Sequence, residues 1–253
     1  MNPVPNNLIY QCRLGNFPKS VFNSVESVGK YAKKIGVTHE FAKKTELKGL
    51  DESISMHLYF NILHLIYDKK FDKYDDILYL DTDIIVDPDA ENIFDIHKNK
   101  NVDVMGIYEK KLGDSGPAFN EYYWKKLFHA KYKRFNIPII RKNIHQINTG
   151  VVLFTKKGRL KARERFDDWI PWASDPIHRQ VLDNDQPFLN AMFEKYQFNV
   201  MAIDDVWNMP VAWFITSPCP KSNFYHFSGG TLNHLVNEFN DDNTPAGKKF
   251  KII

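Results

Sequence analysis

The stretch ILYLDTD, residues 77–83, decides the fold of this 253-residue chain. Four apolar residues that run directly into an acidic residue are typical of a strand buried on both faces of a sheet. Asp81 and Asp83 follow that strand, and their spacing of two places both carboxylates on one side of an extended chain. A divalent cation such as Mg²⁺ or Mn²⁺ relieves the repulsion of such a pair. The alternative is a pair of solvated acids in a turn.

Around this strand, the apolar residues recur at intervals typical of strands and helices in turn. Further predicted strands cover Leu8–Cys12, Val102–Ile107, Ile147–Phe154, Val200–Ile203 and Phe224–Phe227. Predicted helices cover Val21–Ile35, Ser53–Tyr67, Arg159–Ile170 and Gln186–Tyr196. The alternation predicts an α/β fold with a Rossmann-like, mostly parallel sheet flanked by helices. Ligands are expected at the carboxyl ends of its strands.

The composition is that of an ordinary globular protein, with 43% hydrophobic and 26% charged residues. Two cysteines, Cys12 and Cys219, exclude a disulfide scaffold and favour a reducing compartment. No apolar run is long enough for a membrane helix, and the N-terminus lacks the pattern of a signal peptide. We therefore expect a cytoplasmic protein. A single catalytic domain is predicted over residues 1–237, with a polar tail over 238–253.

The wider segment DDILYLDTDIIV, residues 75–86, resembles the DxD motif of GT-A-fold glycosyltransferases, and within these it is most similar to glycosyltransferase family 8. Three later segments resemble motifs of that family in the same order. They are INTGV at 147–151, DNDQPFLN at 183–190 and YHFSGG at 225–230. Taken singly, each has a plain structural explanation: a turn at 148–150, a helix N-cap at Asp185, and a core histidine at His226.

The resemblance implies a glycosyltransferase that moves a sugar from a nucleotide diphosphate sugar to a glycan or other hydroxyl acceptor. Because members of the family mostly use UDP-sugars, the expected donor is a UDP-sugar. The resemblance implies retention of anomeric configuration. It also implies that Mn²⁺ or Mg²⁺ is held by Asp81, Asp83 and His226, and that the metal stabilises the charge on the leaving diphosphate. Asp185 and Gln186 are expected beside the transferred sugar, as transition-state contacts.

The donor nucleotide is expected to contact Asp81, Asn148 and the loop after the first strand, here Gln11 and Arg13. Two departures from the family concern this donor. The stretch HLYFN at 57–61 lacks the usual basic residue, and no Lys follows Gly229 and Gly230. The two glycines are predicted to offer backbone N–H groups to a phosphate instead.

The formal net charge of +3 is too small to indicate nucleic-acid binding. However, the range Lys125–Arg163 contains twelve Lys or Arg and no Asp or Glu. It is either a solvated basic face or a peripheral contact surface for an acidic acceptor or an anionic membrane. The sequence does not indicate an oligomeric state.

Two other functions fit parts of the sequence. A haloacid-dehalogenase-like phosphatase also places D-x-D after a strand, with Asp81 as nucleophile and Asp204–Asp205 as a second acidic pair. Alternatively, the protein is a non-catalytic sugar binder that keeps the glycosyltransferase fold.

Overall fold

A six-stranded sheet and a smaller three-stranded sheet organise the fold in this computed structural model. The structure describes residues 5–44, 47–51, 55–98, 100–108, 130–138, 146–175, 184–211 and 219–227. Its strands are β1 (Leu8–Cys12), β2 (Thr38–Ala42), β3 (Asp76–Leu80), β4 (Ile84–Val86), β5 (Val104–Tyr108), β6 (Ile147–Thr155), β7 (Val200–Ala202), β8 (Met209–Pro210) and β9 (Phe224–His226).

Helices cover both faces of the larger sheet. The α-helices are α1 (Ser20–Ile35), α2 (His64–Tyr67), α3 (Lys156–Arg165), α4 (Ile170–Ala173) and α5 (Asp185–Lys195), and residues 130–134 are also helical. Short 3₁₀ helices cover Ser55–Leu63, Lys69–Lys73, Ile93–Asp95 and Asp205–Trp207.

The larger sheet has the order β2-β1-β3-β6-β5-β7. β1 pairs in parallel with β2 and β3, β5 pairs in parallel with β7, and β6 is antiparallel to both of its neighbours. The predicted mostly parallel sheet is therefore confirmed, and β6 makes it a mixed sheet. Because β6 runs against β3, with Leu80 opposite Val151, the start of β6 lies beside the end of β3. This register brings residues 148–150 next to Asp81.

Side chains of the central strands alternate between two cores, one on each face of the sheet. Ile77 and Tyr79 belong to one core, whereas Leu78 and Leu80 belong to the other. All four are at most 5% exposed, as expected for a strand covered on both faces. Burial of apolar surface on both sides holds β3 rigidly, so the acidic residues that follow it start from a fixed point.

Helix α1 follows the predicted periodicity, with its buried face formed by residues such as Val21, Val28 and Ala32. The helix ends at Gly36, whose left-handed backbone (φ 71°) lets its N–H bond the carbonyls of the last turn. At the other end of its buried face, the Ser24 hydroxyl donates to the carbonyl of Ile84 at 2.6 Å. This bond ties α1 to the small sheet.

Two predicted helices differ from the structure. The segment predicted as one helix over Ser53–Tyr67 is 3₁₀ over Ser55–Leu63 and α-helical only over His64–Tyr67. Helix α3 starts at Lys156, three residues before the prediction, because Thr155 caps it by accepting from the Gly158 N–H at 3.0 Å. It stops at Arg165, since Phe166 is extended. A separate short helix with Pro at its start follows.

The small sheet, in the order β4-β9-β8, was not predicted beyond its strand β9. Sequence patterns missed β4 and β8, which are three and two residues long, and also the edge strand β2. β4 is antiparallel to β9 with Ile84 opposite His226. The small sheet therefore brings His226 to the segment that leaves Asp83.

Cys12 is buried and Cys219 is partly buried, and neither takes part in a disulfide. Within the described residues, no helix has the length and apolar character that a membrane crossing requires. The predicted tail at 238–253 lies outside the described residues.

Candidate active site

A pocket of about 640 Å³ opens at the carboxyl ends of β1 and β3. Its wall includes parts of the 3₁₀ segment at 58–61 and the start of α1, and five further parts of the chain carry or adjoin the polar residues of the site. They are the loop at 12–16, the turn at 81–83, the start of β6 at 148–150, the start of α5 at 184–186, and residues 226–227 at the end of β9. The four sequence motifs that resemble family 8 thus contribute to one cavity, at the edge of the sheet where α/β proteins bind ligands.

Asp81 is held from several sides as it leaves β3. Its backbone N–H donates to the Gly150 carbonyl at 2.9 Å, which extends the β3–β6 pairing by one residue. The Tyr79 hydroxyl donates to Asp81 Oδ1 at 3.0 Å and orients the carboxylate. The carboxylate therefore faces the pocket in a defined position.

Asp83 and His226 complete a three-residue cluster with Asp81. One ligand atom from each lies within 4.8 Å of the other two. His226 Nε2 is 3.3 Å from Asp83 Oδ1, and the Phe227 N–H donates to the Asp83 carbonyl at 3.0 Å. The predicted set of metal ligands is thus brought together from positions more than 140 residues apart in the chain.

Gly150 leaves room for this cluster. A Cβ atom on this residue would lie 2.5 Å from His226 Cε1, 2.9 Å from Asn148 Oδ1 and 3.1 Å from Asp81 Oδ2. The first two distances are shorter than Cβ contacts allow and the third is tight, so a side chain here would displace His226 and Asn148 and crowd Asp81. The sequence segment INTGV contained this residue, but the reason for it appears only in the structure.

The carboxylates of the cluster are electrostatically unequal. Burial and the nearby charge of Asp83 raise the pKa of Asp81 to about 6. Burial also works to raise the pKa of Asp83, but its interaction with His226 outweighs burial and holds that pKa below the ordinary value. Two negative charges thus lie close together in a confined volume, and a bound cation would reduce the repulsion between them.

Asp185 and Gln186 form the first turn of α5 and face the same pocket. Burial, followed by the charge of Asp81, raises the pKa of Asp185 to about 8. Gln186 Oε1 accepts from the Thr149 N–H at 3.2 Å, and Gln186 Nε2 donates to Gln146 at 3.3 Å. These contacts fix the start of α5 against the start of β6.

Asn190, one turn further along α5, secures this junction. Its side chain accepts from the Ile147 N–H at 2.7 Å and donates to the Ile147 carbonyl at 2.9 Å. It also donates to the Gln186 carbonyl at 2.8 Å. The last residue of the segment DNDQPFLN therefore has a structural role.

Only some of the residues predicted to contact the donor line the pocket. Arg13 and Asn148 line the pocket, and Arg13 is exposed. Gln11 is fully buried and does not border the pocket. Its amide donates to Ser24 and to the Asp81 carbonyl, and its oxygen contacts His39. Contrary to the sequence prediction, Gln11 thus supports the backbone of Asp81. Gly229 and Gly230 lie outside the described residues.

Sequence reasoning missed two polar residues of the site. Asn61 lines the pocket, is 3% exposed, and its Oδ1 has no hydrogen-bond partner among the described residues. Asn208 is 5% exposed and contacts both His226 and Asn148. The sequence of 57–61 shows only that a basic residue is lacking there, and no sequence pattern singles out Asn208.

Most basic side chains of Lys125–Arg163 that the structure describes form hydrogen bonds or ion pairs with other parts of the fold. Arg159 is 1% exposed and donates to the Phe154 carbonyl, and Arg163 forms a bidentate pair with Asp72. The other engaged side chains are Lys131, Arg134, Lys157 and Lys161. These residues stabilise the domain. The predicted acidic-acceptor or membrane surface stays a prediction, since Arg134 and Lys157 are partly exposed and several other basic residues of the range lie outside the described residues.

The second acidic pair required by the phosphatase alternative lies away from the pocket. Asp204 is exposed and caps a 3₁₀ helix by accepting from the Val206 N–H, and neither it nor Asp205 lines the cavity. The geometry therefore disfavours a phosphatase with Asp81 as nucleophile.

Comparison with known proteins places the chain among enzymes. A model described as glycosyl transferase family 8 matches residues 8–231. No curated protein sequence matches the chain.

Solved structures of low sequence identity share the fold. A glycosyltransferase involved in the glycosylation of the major capsid of PBCV-1 is 17% identical over 91% of this chain and 98% of that one, with a TM-score of 0.54. The apo bifunctional glycosyltransferase WbbM is 11% identical over 98% of this chain and 53% of that one, with a TM-score of 0.54. An active-site mutant of LgtC is 14% identical over 88% of this chain and 87% of that one, with a TM-score of 0.50.

Proposed function

This chain belongs to glycosyl transferase family 8 and is a hexosyltransferase, and we propose that it moves a sugar from a nucleotide diphosphate sugar to a hydroxyl acceptor in a metal-dependent reaction. The observation that carries the proposal is the cluster of Asp81, Asp83 and His226 in the wall of a pocket large enough for a sugar nucleotide. In the proposed reaction, the bond between the anomeric carbon and the diphosphate breaks and the acceptor oxygen takes its place.

The residues present fit a divalent cation. Asp83 Oδ1 is buried and makes no hydrogen bond among the described residues, although His226 Nε2 is only 3.3 Å away. Two carboxylates and one imidazole suit Mn²⁺ well, because Mg²⁺ prefers oxygen ligands throughout. When bound, the ion supplies Lewis-acid stabilisation of the negative charge on the leaving diphosphate.

Arg13 is the proposed protein contact of the diphosphate. Among the described residues that line the pocket, it has the only Lys or Arg side chain. It lies in the loop after β1, and its charge acts on both Asp81 and Asp83. A guanidinium at this position can donate two hydrogen bonds to phosphate oxygens. Arg13 thereby compensates for the basic residues that the sequence lacks at 57–61 and after Gly230.

Asp185, Gln186 and Asn148 are proposed to surround the transferred sugar. The pKa of about 8 applies to Asp185 beside an uncompensated Asp81. A cation that offsets the charge of Asp81 would favour the ionised form of Asp185, which would then stabilise positive charge that develops on the sugar ring, while the amides fix the sugar hydroxyls. The unpartnered Asn61 Oδ1 is a further acceptor for a donor hydroxyl. Membership in family 8 supports a UDP-sugar donor and retention of anomeric configuration, and both belong to this proposal.

A panel of nucleotide sugars tests the function directly. The purified protein is incubated with each donor, with Mn²⁺ or with a chelator, and release of the nucleoside diphosphate is measured. We expect Mn²⁺-dependent release from at least one UDP-sugar, and a higher KM for that donor in Arg13→Ala. Lys19→Ala, which changes an exposed basic residue near the same loop but outside the pocket wall, is the matched control. Release from no donor would instead favour a non-catalytic sugar binder.

A further inference from the structure

Asn208 lies behind His226, on the side away from the carboxylates. It occupies the junction between the 3₁₀ helix Asp205–Trp207 and strand β8. β8 pairs in parallel with β9, with Pro210 opposite His226, so the small sheet fixes the separation of the two residues. Asn208 is 5% exposed and does not line the pocket, so it does not reach a donor itself.

The hydrogen bonds around Asn208 have only one consistent set of directions. The Gly150 backbone N–H, which can only donate, lies 2.9 Å from an Asn148 side-chain atom, so that atom is the oxygen Oδ1. Asn208 approaches the same oxygen at 2.8 Å and must present its NH₂ group there. Its own Oδ1 therefore faces His226 Nδ1, at 2.8 Å.

This chain of contacts determines which nitrogen of His226 carries the proton. An amide oxygen accepts, so His226 Nδ1 must be the N–H donor, and the neutral ring then has its lone pair on Nε2. Nε2 is the atom that faces Asp83 Oδ1 at 3.3 Å. In the neutral ring, Nε2 and the buried Asp83 Oδ1, which makes no hydrogen bond among the described residues, are two acceptors that a cation between them can join. When the ring is protonated, Nε2–H instead attracts Asp83.

We propose that Asn208 is a positioning residue that holds His226 in the Nδ1–H tautomer, with Nε2 directed at the metal, and that links this ligand to the donor contact Asn148. The proposal rests on the proposed metal-dependent function and deepens it. Partners of this kind orient ligating histidines in many metal sites. Here the partner also contacts Asn148, so one amide group sets the position of a metal ligand and of a sugar contact.

Two substitutions separate the two hydrogen bonds of Asn208. Asn208→Leu keeps a similar volume and removes both bonds. Asn208→Asp keeps an oxygen that accepts from His226 Nδ1–H, but it presents a second acceptor to Asn148 Oδ1 instead of a donor. Asn223→Leu is the matched control, because Asn223 is near β9 and binds the Glu91 backbone N–H outside the pocket.

Mn²⁺ affinity is measured by calorimetry without donor, and UDP-sugar affinity is measured at saturating Mn²⁺. We expect Asn208→Leu to lose roughly ten- to a hundredfold in Mn²⁺ affinity. For Asn208→Asp and for the control, we expect a Mn²⁺ affinity no more than about threefold weaker than that of wild type. Donor affinity should fall at least fivefold in both Asn208 variants. Wild-type Mn²⁺ affinity in a folded Asn208→Leu would overturn the proposal.

The tautomer of His226 is read separately, from the ring ¹⁵N chemical shifts of the metal-free protein at a pH where the ring is neutral. We expect the Nδ1–H form in wild type and Asn208→Asp, and a shift toward the Nε2–H form in Asn208→Leu. An Nε2–H ring in wild type contradicts the proposal. If Asn208→Leu does not fold, Asn208→Asp decides: the proposal is overturned if this variant binds the donor as tightly as wild type does. Failure of wild type to bind Mn²⁺ contradicts the proposed function, while the chemical shifts still decide the role of Asn208.

Discussion

Gly150 is the residue at which backbone geometry limits the metal site most strictly. In Gly150→Ala, the new Cβ would push against His226 and Asp81. We expect the strand to keep its fold and the ligands to move apart, with Mn²⁺ affinity reduced at least tenfold. Calorimetry measures the affinity, and circular dichroism checks the fold. Gly29→Ala is the control, because its Cβ meets only the His39 ring at 3.4 Å. Unchanged Mn²⁺ affinity in Gly150→Ala would contradict the placement of His226 and Asp81.

Asp185 makes the stability of the metal-free protein depend on pH. Its pKa is about 8 in the folded chain, because of burial and the charge of Asp81, and near 4 in the unfolded chain. The folded state therefore holds the proton more tightly. This contribution to stability is complete below about pH 4 and is lost as the pH rises through about 8.

Asp185→Asn removes this titrating group. We expect wild type to lose roughly 2–5 kcal/mol of unfolding free energy between pH 4 and pH 8 through Asp185, and the variant to show a flatter profile. Urea denaturation in the presence of a chelator measures both curves. Asp81, whose raised pKa acts in the same direction, stays in both proteins. Parallel curves for the two proteins would show that Asp185 is ionised at neutral pH.

The residues of the site differ in how far the sequence could reveal them. Asp81, Asp83, Asn148, Asp185, Gln186 and His226 were predicted because their motifs recur in order in a known family. Asn208 and Asn61 have no local pattern, since each acts through a contact with a distant segment. Gln11 was misassigned because position in the first loop does not show that its side chain points into the core.

At the level of elements, the junction of α5 with β6 carries the catalytic candidates. Asn190→Leu removes three hydrogen bonds that join these elements. We expect a loss of about 2 kcal/mol in unfolding free energy, measured by urea denaturation, and lower kcat because Gln186 is no longer held. Glu26→Gln is the control, because it breaks only an exposed pair with Lys30. Wild-type stability and kcat in Asn190→Leu would contradict the role of this junction.

Elements buried on both faces were predictable, and short elements at the rim were not. β1 and β3 stand out as apolar runs, because the core on each side of the sheet requires them. β4 and β8 contain too few residues for a periodic pattern, yet they position His226 and Asn208. The 3₁₀ segment Ser55–Leu63 was predicted as α-helix because its apolar spacing suits both kinds of helix.

For the molecule as a whole, topology explains why one edge of the sheet carries the site. β3 delivers Asp81 at its end, and antiparallel β6 begins at that same edge with Asn148 and Gly150. The small sheet returns the chain from residue 224 onward to the same place. Four weak motifs become one site because these three elements and the start of α5 meet at this edge, which no single motif could show.

The central claim is that Asp81, Asp83 and His226 hold a cation required for cleavage of a sugar nucleotide. Its most direct test is the rate of nucleoside diphosphate release from the best donor of the panel, with Mn²⁺, for wild type, Asp83→Ala and Asp89→Ala. Asp89 is an exposed acid paired with Lys221, outside the pocket. We predict at least a hundredfold loss of rate in Asp83→Ala and a wild-type rate in Asp89→Ala. A wild-type rate in a folded Asp83→Ala, or a rate that a chelator leaves unchanged, would contradict the claim.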